Sequence, residues 1–268
     1  MTSGDIAEFV GKRLWLRRLL YLFIRVTTLR EWYLGYAVKQ VLKQYTQPVH
    51  VFDAGSGMGQ QSFCIARKTR GHVIGVEVDA RQVSDCNDAA ERMGLNSVSF
   101  LQGDVMSINL NDRFHVILCT SVLEHLMDDQ KALHNFSRLL LPGGTLIVYV
   151  PVSERRVLPC LHRKIQMQMR QENAKYPHGH VRYYNLKELH EKLETAGLTV
   201  MQSQKTYGPY GRLAYDIVTS VQYHSLFLWI FPFYLVLVHP FVMLLMWADM
   251  RHLKKSGNGL MMLAVKNA

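Results

Sequence analysis

Cysteine and acidic residues are the scarce components of this 268-residue sequence. Its four cysteines (Cys64, Cys86, Cys119 and Cys160) lie far apart, without the ligand spacing of zinc sites or redox motifs. We interpret them as thiols in a reducing compartment and predict no metal site. Residues 12–25 carry basic flanks, but their apolar core is too short for a cleavable signal peptide.

The shortage of acids leaves a strongly basic chain. Lys and Arg number 31 against 21 Asp and Glu, which gives a formal charge of +10. Such an excess suits either nucleic acid or an anionic membrane surface. The basic residues sit beside apolar surfaces rather than among stacking aromatics, and no appended RNA-binding signature is present. We therefore disfavour nucleic acid as a partner and expect an anionic membrane surface.

Charge is missing altogether between Ile217 and Ala248, and residues 226–248 are almost wholly apolar. As a helix, those 23 residues would extend about 34 Å, enough to cross a hydrocarbon layer. The strands predicted on either side belong to one sheet, so a single crossing would leave their ends on opposite faces of the membrane. We therefore favour a helical hairpin, broken at Pro232 and Pro240, that lies in one leaflet or at its surface. A lid and a dimer interface are the alternatives.

The middle of the chain alternates short apolar runs with helical patterns. This alternation predicts a doubly wound α/β fold with a mostly parallel, seven-stranded Rossmann-like sheet. The predicted strands span residues 49–53, 72–77, 97–102, 113–119, 144–150, 198–206 and 260–266. The predicted helices cover residues 6–26, 29–46, 58–69, 80–94, 128–140, 154–176 and 185–196.

These patterns divide the chain into three parts. Residues 1–47 are predicted as basic, amphipathic N-terminal helices. Residues 48–207 and 258–268 form the predicted catalytic domain, and residues 208–257 form an apolar helical insert before the last strand.

A glycine-rich turn, Asp53-Ala-Gly-Ser-Gly-Met-Gly59, follows the first predicted strand and precedes a helix. Glycines let a backbone turn tightly and approach a ligand, and a helix N-terminus supplies oriented N–H groups. Glu77 ends the second strand and Asp104 follows the third. Since doubly wound sheets bind ligands at the carboxyl ends of their strands, these acids are candidates for a ribose diol and an exocyclic amine.

Five segments in order resemble class I S-adenosylmethionine-dependent methyltransferases. They are DAGSGMG, GVEVD, QGDV, FHVILCTSVLEHLMD and LLLPGGTLIV, and a weaker match continues through GHVRYYNLKELHEKLETAGL. A nicotinamide enzyme would carry its third glycine three residues after the second, where this chain has Gln60. The resemblance implies S-adenosylmethionine as cofactor and S-adenosylhomocysteine as product. It implies a cofactor site made of Asp53, Gly55, Ser56, Gly57, Gly59, Glu77, Val78, Asp104, Val105 and Thr120.

Methyl transfer from a sulfonium requires alignment and exclusion of water, and a base only where the acceptor must lose a proton. The resemblance makes His125, His180 and Tyr184 the candidate catalytic residues, although each also suits a structural or solvated role. Tyr207 and Tyr210 are candidates for the acceptor pocket.

The sequence therefore leads to a methyltransferase acting on a lipid or other hydrophobic acceptor, located in the cytoplasm as a peripheral or monotopic protein on the cytoplasmic face of a membrane. The alternatives are a soluble enzyme for an aromatic or polyketide-like metabolite, a homodimer joined by the insert, an RNA methyltransferase, and a non-catalytic cofactor-binding scaffold.

Overall fold

A single sheet forms the centre of the computed structural model, which describes residues 13–152, 157, 181–222, 227–252 and 254–267. Its strands are β1 (Val51–Ala54), β2 (Val73–Glu77), β3 (Val98–Gln102), β4 (Phe114–Thr120), β5 (Leu140–Pro151), β6 (Leu198–Thr206) and β7 (Gly259–Lys266). Their order is β3-β2-β1-β4-β5-β7-β6. Strands β1 to β5 pair in parallel, and β7 runs antiparallel to both β5 and β6. The predicted Rossmann-like fold is confirmed.

Helices cover both faces of this sheet, as the alternating pattern predicts. They are α1 (Leu14–Thr27), α2 (Leu29–Leu42), α3 (Gln60–Ala66), α4 (Ala80–Arg92), α5 (Asp129–Leu139), α6 (Leu186–Thr195), α7 (Pro209–Gln222), α8 (Phe227–Phe233) and α9 (His239–Arg251). Residues 6–12 of the first predicted helix lie outside the described residues. The same holds for the helix predicted at 154–176, apart from residue 157.

The central strands β1, β4 and β5 are largely apolar on both sides because each face contributes to its own core. On β1, Val51 enters the core formed with α2, α3 and α4, whereas its neighbour Phe52 enters the core formed with α5 and α6. Neighbouring side chains of a strand point to opposite faces, so a buried strand needs apolar residues at every position. Residues Val51 to Ala54 are accordingly all buried.

Polar side chains fix where several helices begin. Asp79 accepts a hydrogen bond from the Arg81 backbone N–H before α4, and Asp128 accepts one from Lys131 before α5. Asn185 accepts one from Glu188 before α6. These caps satisfy backbone N–H groups that have no partner within their own helices.

The apolar segment lies between β6 and β7, as predicted, and it stays helical through both of its prolines. Helix α7 packs against α9. Pro232 lies inside α8, a π-helical turn follows at Tyr234–Val238, and Pro240 sits in the first turn of α9. The prediction of breaks at the two prolines is wrong. The wider π turn takes up the backbone disturbance near Pro232, and a proline in a first helical turn removes no internal hydrogen bond.

Asp249 joins the returning helix to the rest of the protein. Its side chain is fully buried on α9, and it accepts hydrogen bonds from Tyr33 Oη on α2 at 2.8 Å and from the Gly211 backbone N–H on α7 at 2.9 Å. Lys254 Nζ lies 3.8 Å from Asp249 Oδ2. One carboxylate therefore connects α2, α7 and the segment that leads into β7.

Replacing Asp249 by Ala is expected to lower the free energy of unfolding by about 3–5 kcal/mol, because a buried cation and two buried donors lose their acceptor. Urea denaturation measures this change. Asp88→Ala, at an exposed position on α4, is the matched control and should change the unfolding free energy by less than about 0.5 kcal/mol. Equal stability of the two variants would contradict the anchoring role.

Candidate cofactor and acceptor site

The backbone of the glycine turn between β1 and α3 has a conformation that residues other than glycine adopt only with strain. Gly55, Gly57 and Gly59 have φ angles of 69°, 52° and 77°. A Cβ atom at Gly55 would collide with Val122, and one at Gly59 would lie 2.8 Å from the Phe100 ring. The sequence places glycine where the turn is both left-handed and crowded, which keeps the backbone close to any ligand in front of it.

Asp53 lies beneath this turn at the end of β1. It is 3% exposed, and its carboxylate accepts a hydrogen bond from Ser62 Oγ at 2.6 Å. Burial raises the pKa of Asp53 to about 6. In the turn itself, Ser56 Oγ is buried and has no hydrogen-bond partner within the described part of the chain. A polar ligand bound beside the left-handed glycines would give this buried hydroxyl a hydrogen-bond partner.

The two other predicted acids lie at the same edge of the sheet. Glu77 accepts hydrogen bonds from the backbone N–H groups of Gly57 at 3.0 Å and Val78 at 2.8 Å, so it contacts the glycine turn directly. Asp104 accepts one from Met106, and the preceding Gly103 N–H donates to the Glu77 carbonyl at 3.0 Å. The structure thus brings Asp53, Glu77 and Asp104 to neighbouring strand ends. Among the weaker candidates, Val105 is buried in the core and Val78 is exposed.

The chain just after β4 faces the glycine turn from the other side. Thr120 Oγ1 is buried without a hydrogen-bond partner among the described residues. Ser121 has a left-handed backbone, with φ of 54°, which is uncommon for a residue other than glycine. His125 closes a short 3₁₀ turn, Leu123–His125, and is half-buried.

Tyr184 contacts the same turn from behind. It is buried, and its hydroxyl lies 2.6 Å from Asp129 Oδ2 and 3.2 Å from the Leu123 carbonyl. Arg182 and Lys192 also bind Asp129, at 2.6 and 2.9 Å. Although burial opposes it, these donors hold the pKa of Asp129 below its ordinary value. This geometry favours a positioning role for Tyr184; its catalytic role stays a prediction. His180 lies outside the described residues.

Sequence reasoning missed the contribution of the N-terminal helices. On α1, Tyr21 donates to the Met58 carbonyl of the glycine turn, and Arg17 is buried with Nη1 2.9 Å from the Asp85 carbonyl. On α2, Glu31 accepts from Gln60 and Gln61, the first residues of α3. The amphipathic pattern of α1 marked an apolar face, but no local signal indicated which polar residues turn inward.

The chain matches a protein-family model described as "Methyltransferase domain" over residues 46–210. The chain belongs to the class I S-adenosylmethionine-dependent methyltransferases. The matched range contains the glycine turn, the acidic strand ends and the turn after β4. It leaves out α1, α2 and nearly all of the helices between β6 and β7.

Similar methyltransferases act on different acceptors. An arsenite methyltransferase from Aquipseudomonas alcaligenes is 35% identical over 117 residues, which is 40% of this chain and 34% of that protein. An ajmaline N-methyltransferase from Rauvolfia serpentina is 30% identical over 38% of this chain and 36% of its own. A ubiquinone biosynthesis O-methyltransferase from Coxiella burnetii is 33% identical over 36% and 41%. The matches therefore span about a third to two-fifths of these relatives.

Solved structures share the fold over most of the chain. Phosphoethanolamine N-methyltransferase 2 of Haemonchus contortus, with S-adenosyl-L-methionine, has a TM-score of 0.59 at 15% identity, covering 85% of this chain and 52% of that one. Magnesium protoporphyrin IX methyltransferase of Synechocystis, with bound S-adenosylhomocysteine, has a TM-score of 0.54 at 14% identity, covering 91% and 85%. At these identities the likeness concerns the fold.

S-adenosylmethionine is the cofactor of this methyltransferase, and the residues present fit it. The unpartnered Ser56 hydroxyl and the glycine turn suit the amino-acid part, and Glu77 suits the ribose diol, whose hydroxyls donate to a carboxylate. When bound, the cofactor supplies a methyl group on a sulfonium. Within the described ranges, no group of three or more His, Cys, Asp or Glu could hold a metal ion. Cys64, Cys86 and Cys119 are free thiols, and Cys160 lies outside the described residues.

Replacing Gly55 by Ala is expected to weaken binding of S-adenosylhomocysteine at least tenfold in isothermal calorimetry, because the new methyl group displaces Val122 from the turn. Gly94→Ala is the matched control. Gly94 has a φ of 66°, but a Cβ atom there would meet no other atom within 4 Å. The control therefore shares the backbone strain of about 1–2 kcal/mol without the collision. Undiminished affinity in the Gly55 variant would remove the turn from the cofactor site.

Proposed function

We propose that this methyltransferase acts at the cytoplasmic face of an anionic membrane and transfers the methyl group to a lipid or another hydrophobic acceptor. The observation that carries the proposal is an exposed apolar surface formed by helices outside the shared methyltransferase core. We call it the apolar stripe. Its members are Trp15, Leu19 and Leu22 on α1, and Trp229, Phe233, Val236, Leu237, Phe241, Leu244 and Trp247 on α8, the π turn and α9.

Members of the apolar stripe recur at helical spacing on α1 and again from α8 through α9. Each of these two helical parts therefore has one outward apolar face. On α9 and the turn before it, the opposite face is buried and includes Tyr234, His239, Val242 and Asp249. The polar members of this set point into the protein and the apolar members of the stripe point away from it. Water-soluble surface helices show the reverse pattern. The arrangement supports an apolar medium on the outside.

Length and composition support the same assignment. Trp229–Arg251 is a continuous 23-residue helical segment, long and apolar enough to cross a membrane, and 22% of its most apolar window is buried within the chain. Since α7 runs out and α9 returns to the same sheet, an in-plane or half-inserted position satisfies both connections. Trp229 and Trp247 lie near the ends of the segment, as aromatic side chains do at membrane interfaces.

Basic residues border the apolar stripe. Arg18 and Arg25 are exposed on α1, which packs against α9, and the Phe23 ring contacts Phe231 of α8 at 5.3 Å between centroids. Arg251 lies over the Trp247 ring at 4.7 Å. Cations beside an apolar surface complement anionic headgroups above acyl chains. This combination favours a membrane over a second copy of the chain, for which the same charges would repel.

The acceptor class rests on this chain's own features. The named relatives include both O- and N-methyltransferases, and the apolar stripe lies outside the residues shared with the family model. A soluble enzyme with the stripe as a dimer interface is the competing interpretation, and vesicle binding separates the two.

The double variant Phe241→Ser, Leu244→Ser is expected to bind vesicles of phosphatidylglycerol and phosphatidylcholine more than tenfold more weakly than the native protein. Each side chain contributes about 1.5–3 kcal/mol when transferred fully from water. Co-sedimentation with vesicles measures binding, and native binding should weaken as salt rises.

Met201→Ser is the control, since Met201 is equally exposed but lies on the edge strand β6. A native protein that ignores vesicles and sediments as a dimer without detergent would contradict the proposal and support the soluble interpretation.

A further inference from the structure

Glu124 is a buried carboxyl group whose hydrogen-bonding capacity the described residues do not fully use. It is 1% exposed, in the 3₁₀ turn after β4. Ser121 and its own backbone N–H donate to the carboxyl group, yet Oε2 has no hydrogen-bond partner among the described residues. An unpaired buried acceptor costs stability, so the unpartnered Oε2 calls for an explanation.

The position of Glu124 places it beside the cofactor turn. Strand β4 pairs directly with β1, and Val122, two residues before Glu124, fills the space in front of Gly55. Cys119, near the end of β4, interacts electrostatically with both Glu124 and Asp53. Glu124 therefore belongs to the short turn that borders the glycine turn at Gly55.

Arg30 on α2 stands opposite Glu124 and organises the neighbouring polar groups. Its Nη1 donates to Ser121 Oγ at 3.2 Å, and its backbone N–H donates to Tyr207 Oη at 3.0 Å. Ser121 and Tyr207 both have φ of 54°, and within the described chain they are the non-glycine residues with positive φ. Strained backbone is concentrated at functional sites, where surrounding contacts hold it in place. Both strained residues contact the same arginine.

Several ionisable groups lie near Glu124. They are His125, the next residue of the same turn, Arg30 from α2, which pairs with Glu31, Cys119 from β4 and Tyr149 from β5. Burial raises the pKa of Tyr149 to about 12 and that of Cys119 well above its ordinary value, so both hold their protons at neutral pH. Burial also raises the pKa of Glu124 to about 7, which suits this carboxyl group to gain and lose a proton near neutrality.

We propose that Glu124 is the general base of the proposed methyl transfer and that the acceptor atom is the oxygen of an acidic hydroxyl group, a phenol or an enol. Arg30 selects this class, because a fixed cation stabilises the negative charge that develops on oxygen and repels an ammonium acceptor. An aliphatic alcohol is a much weaker acid than a phenol and gives its proton to a carboxylate less readily. The inference rests on the proposed function and adds the acceptor atom and its base.

The atoms balance without a further reactant. The acceptor O–H bond breaks and its proton passes to Glu124 Oε2, while the acceptor oxygen forms a bond to the methyl carbon. The carbon–sulfur bond breaks and sulfur keeps the electron pair. The products are a methyl ether, S-adenosylhomocysteine and a protonated Glu124, which returns its proton to water.

The experiment compares Glu124→Gln with Glu124→Asp and with Glu91→Gln, an exposed control on α4. Methyl transfer is followed with radiolabelled cofactor, using an alkyl catechol and an alkylamine of equal chain length in vesicles of phosphatidylglycerol and phosphatidylcholine. We expect label on the catechol alone, with kcat rising with pH through about 7 as the carboxyl loses its proton. The glutamine variant should lose about 10²–10⁴-fold in kcat, together with this pH dependence. The aspartate variant should keep part of both.

An infrared pH titration of the protein without acceptor gives an independent readout. We expect a carboxylic acid C=O band that disappears as the pH rises through about 7 in the native protein and is missing in Glu124→Gln. Label on the amine, no label on the catechol, or an unchanged infrared titration in Glu124→Gln would overturn the inference. Vesicle co-sedimentation keeps the proposed function separate: a native protein that does not bind vesicles contradicts that function, whereas Glu124→Gln should bind vesicles, and S-adenosylhomocysteine in calorimetry, within twofold of native.

Discussion

The pairing of β1 with β2 on one side and with β4 on the other is the constraint from which the site follows. Parallel strands deliver their following loops to one edge, and the order of strands reverses at β1, so a crevice opens there. The glycine turn after β1 forms one wall and the turn after β4 forms the other. Val122 touches Gly55 across the gap. Each wall is fixed by strand register rather than by the loops themselves.

Two kinds of residue complete that crevice, and they come from different parts of the chain. The cofactor side is built from β1, β2 and β3, within the range shared with the family. The proposed acceptor side includes Arg30 from α2, outside that range, together with Tyr207 just after β6. The motifs of the family core are separate in sequence from the N-terminal helices that pack over them. This separation explains how relatives named for arsenite, ajmaline and ubiquinone biosynthesis can resemble this chain at the same motifs.

The sequence was sufficient for the sheet and the cofactor turn because both depend on local signals. Apolar runs mark buried strands, and glycines at 55, 57 and 59 mark left-handed turns. It was insufficient for Arg30 and Glu124, whose roles depend on contacts between α2 and the turn after β4, 91 residues apart in the case of Arg30 and Ser121. Nor did it predict the path of the apolar segment, since Pro232 and Pro240 both lie within helical structure.

The contacts of Asp249 have a consequence for transplanting the helices between β6 and β7 into another protein. Its oxygens are shared by Tyr33 on α2, the Gly211 backbone and Lys254, which lie on both sides of the family core in sequence. A graft of the helices between β6 and β7 into another methyltransferase would carry the carboxylate into a fold without its phenol. The N-terminal helices and the late insert are thus one structural unit, although the catalytic core separates them in sequence.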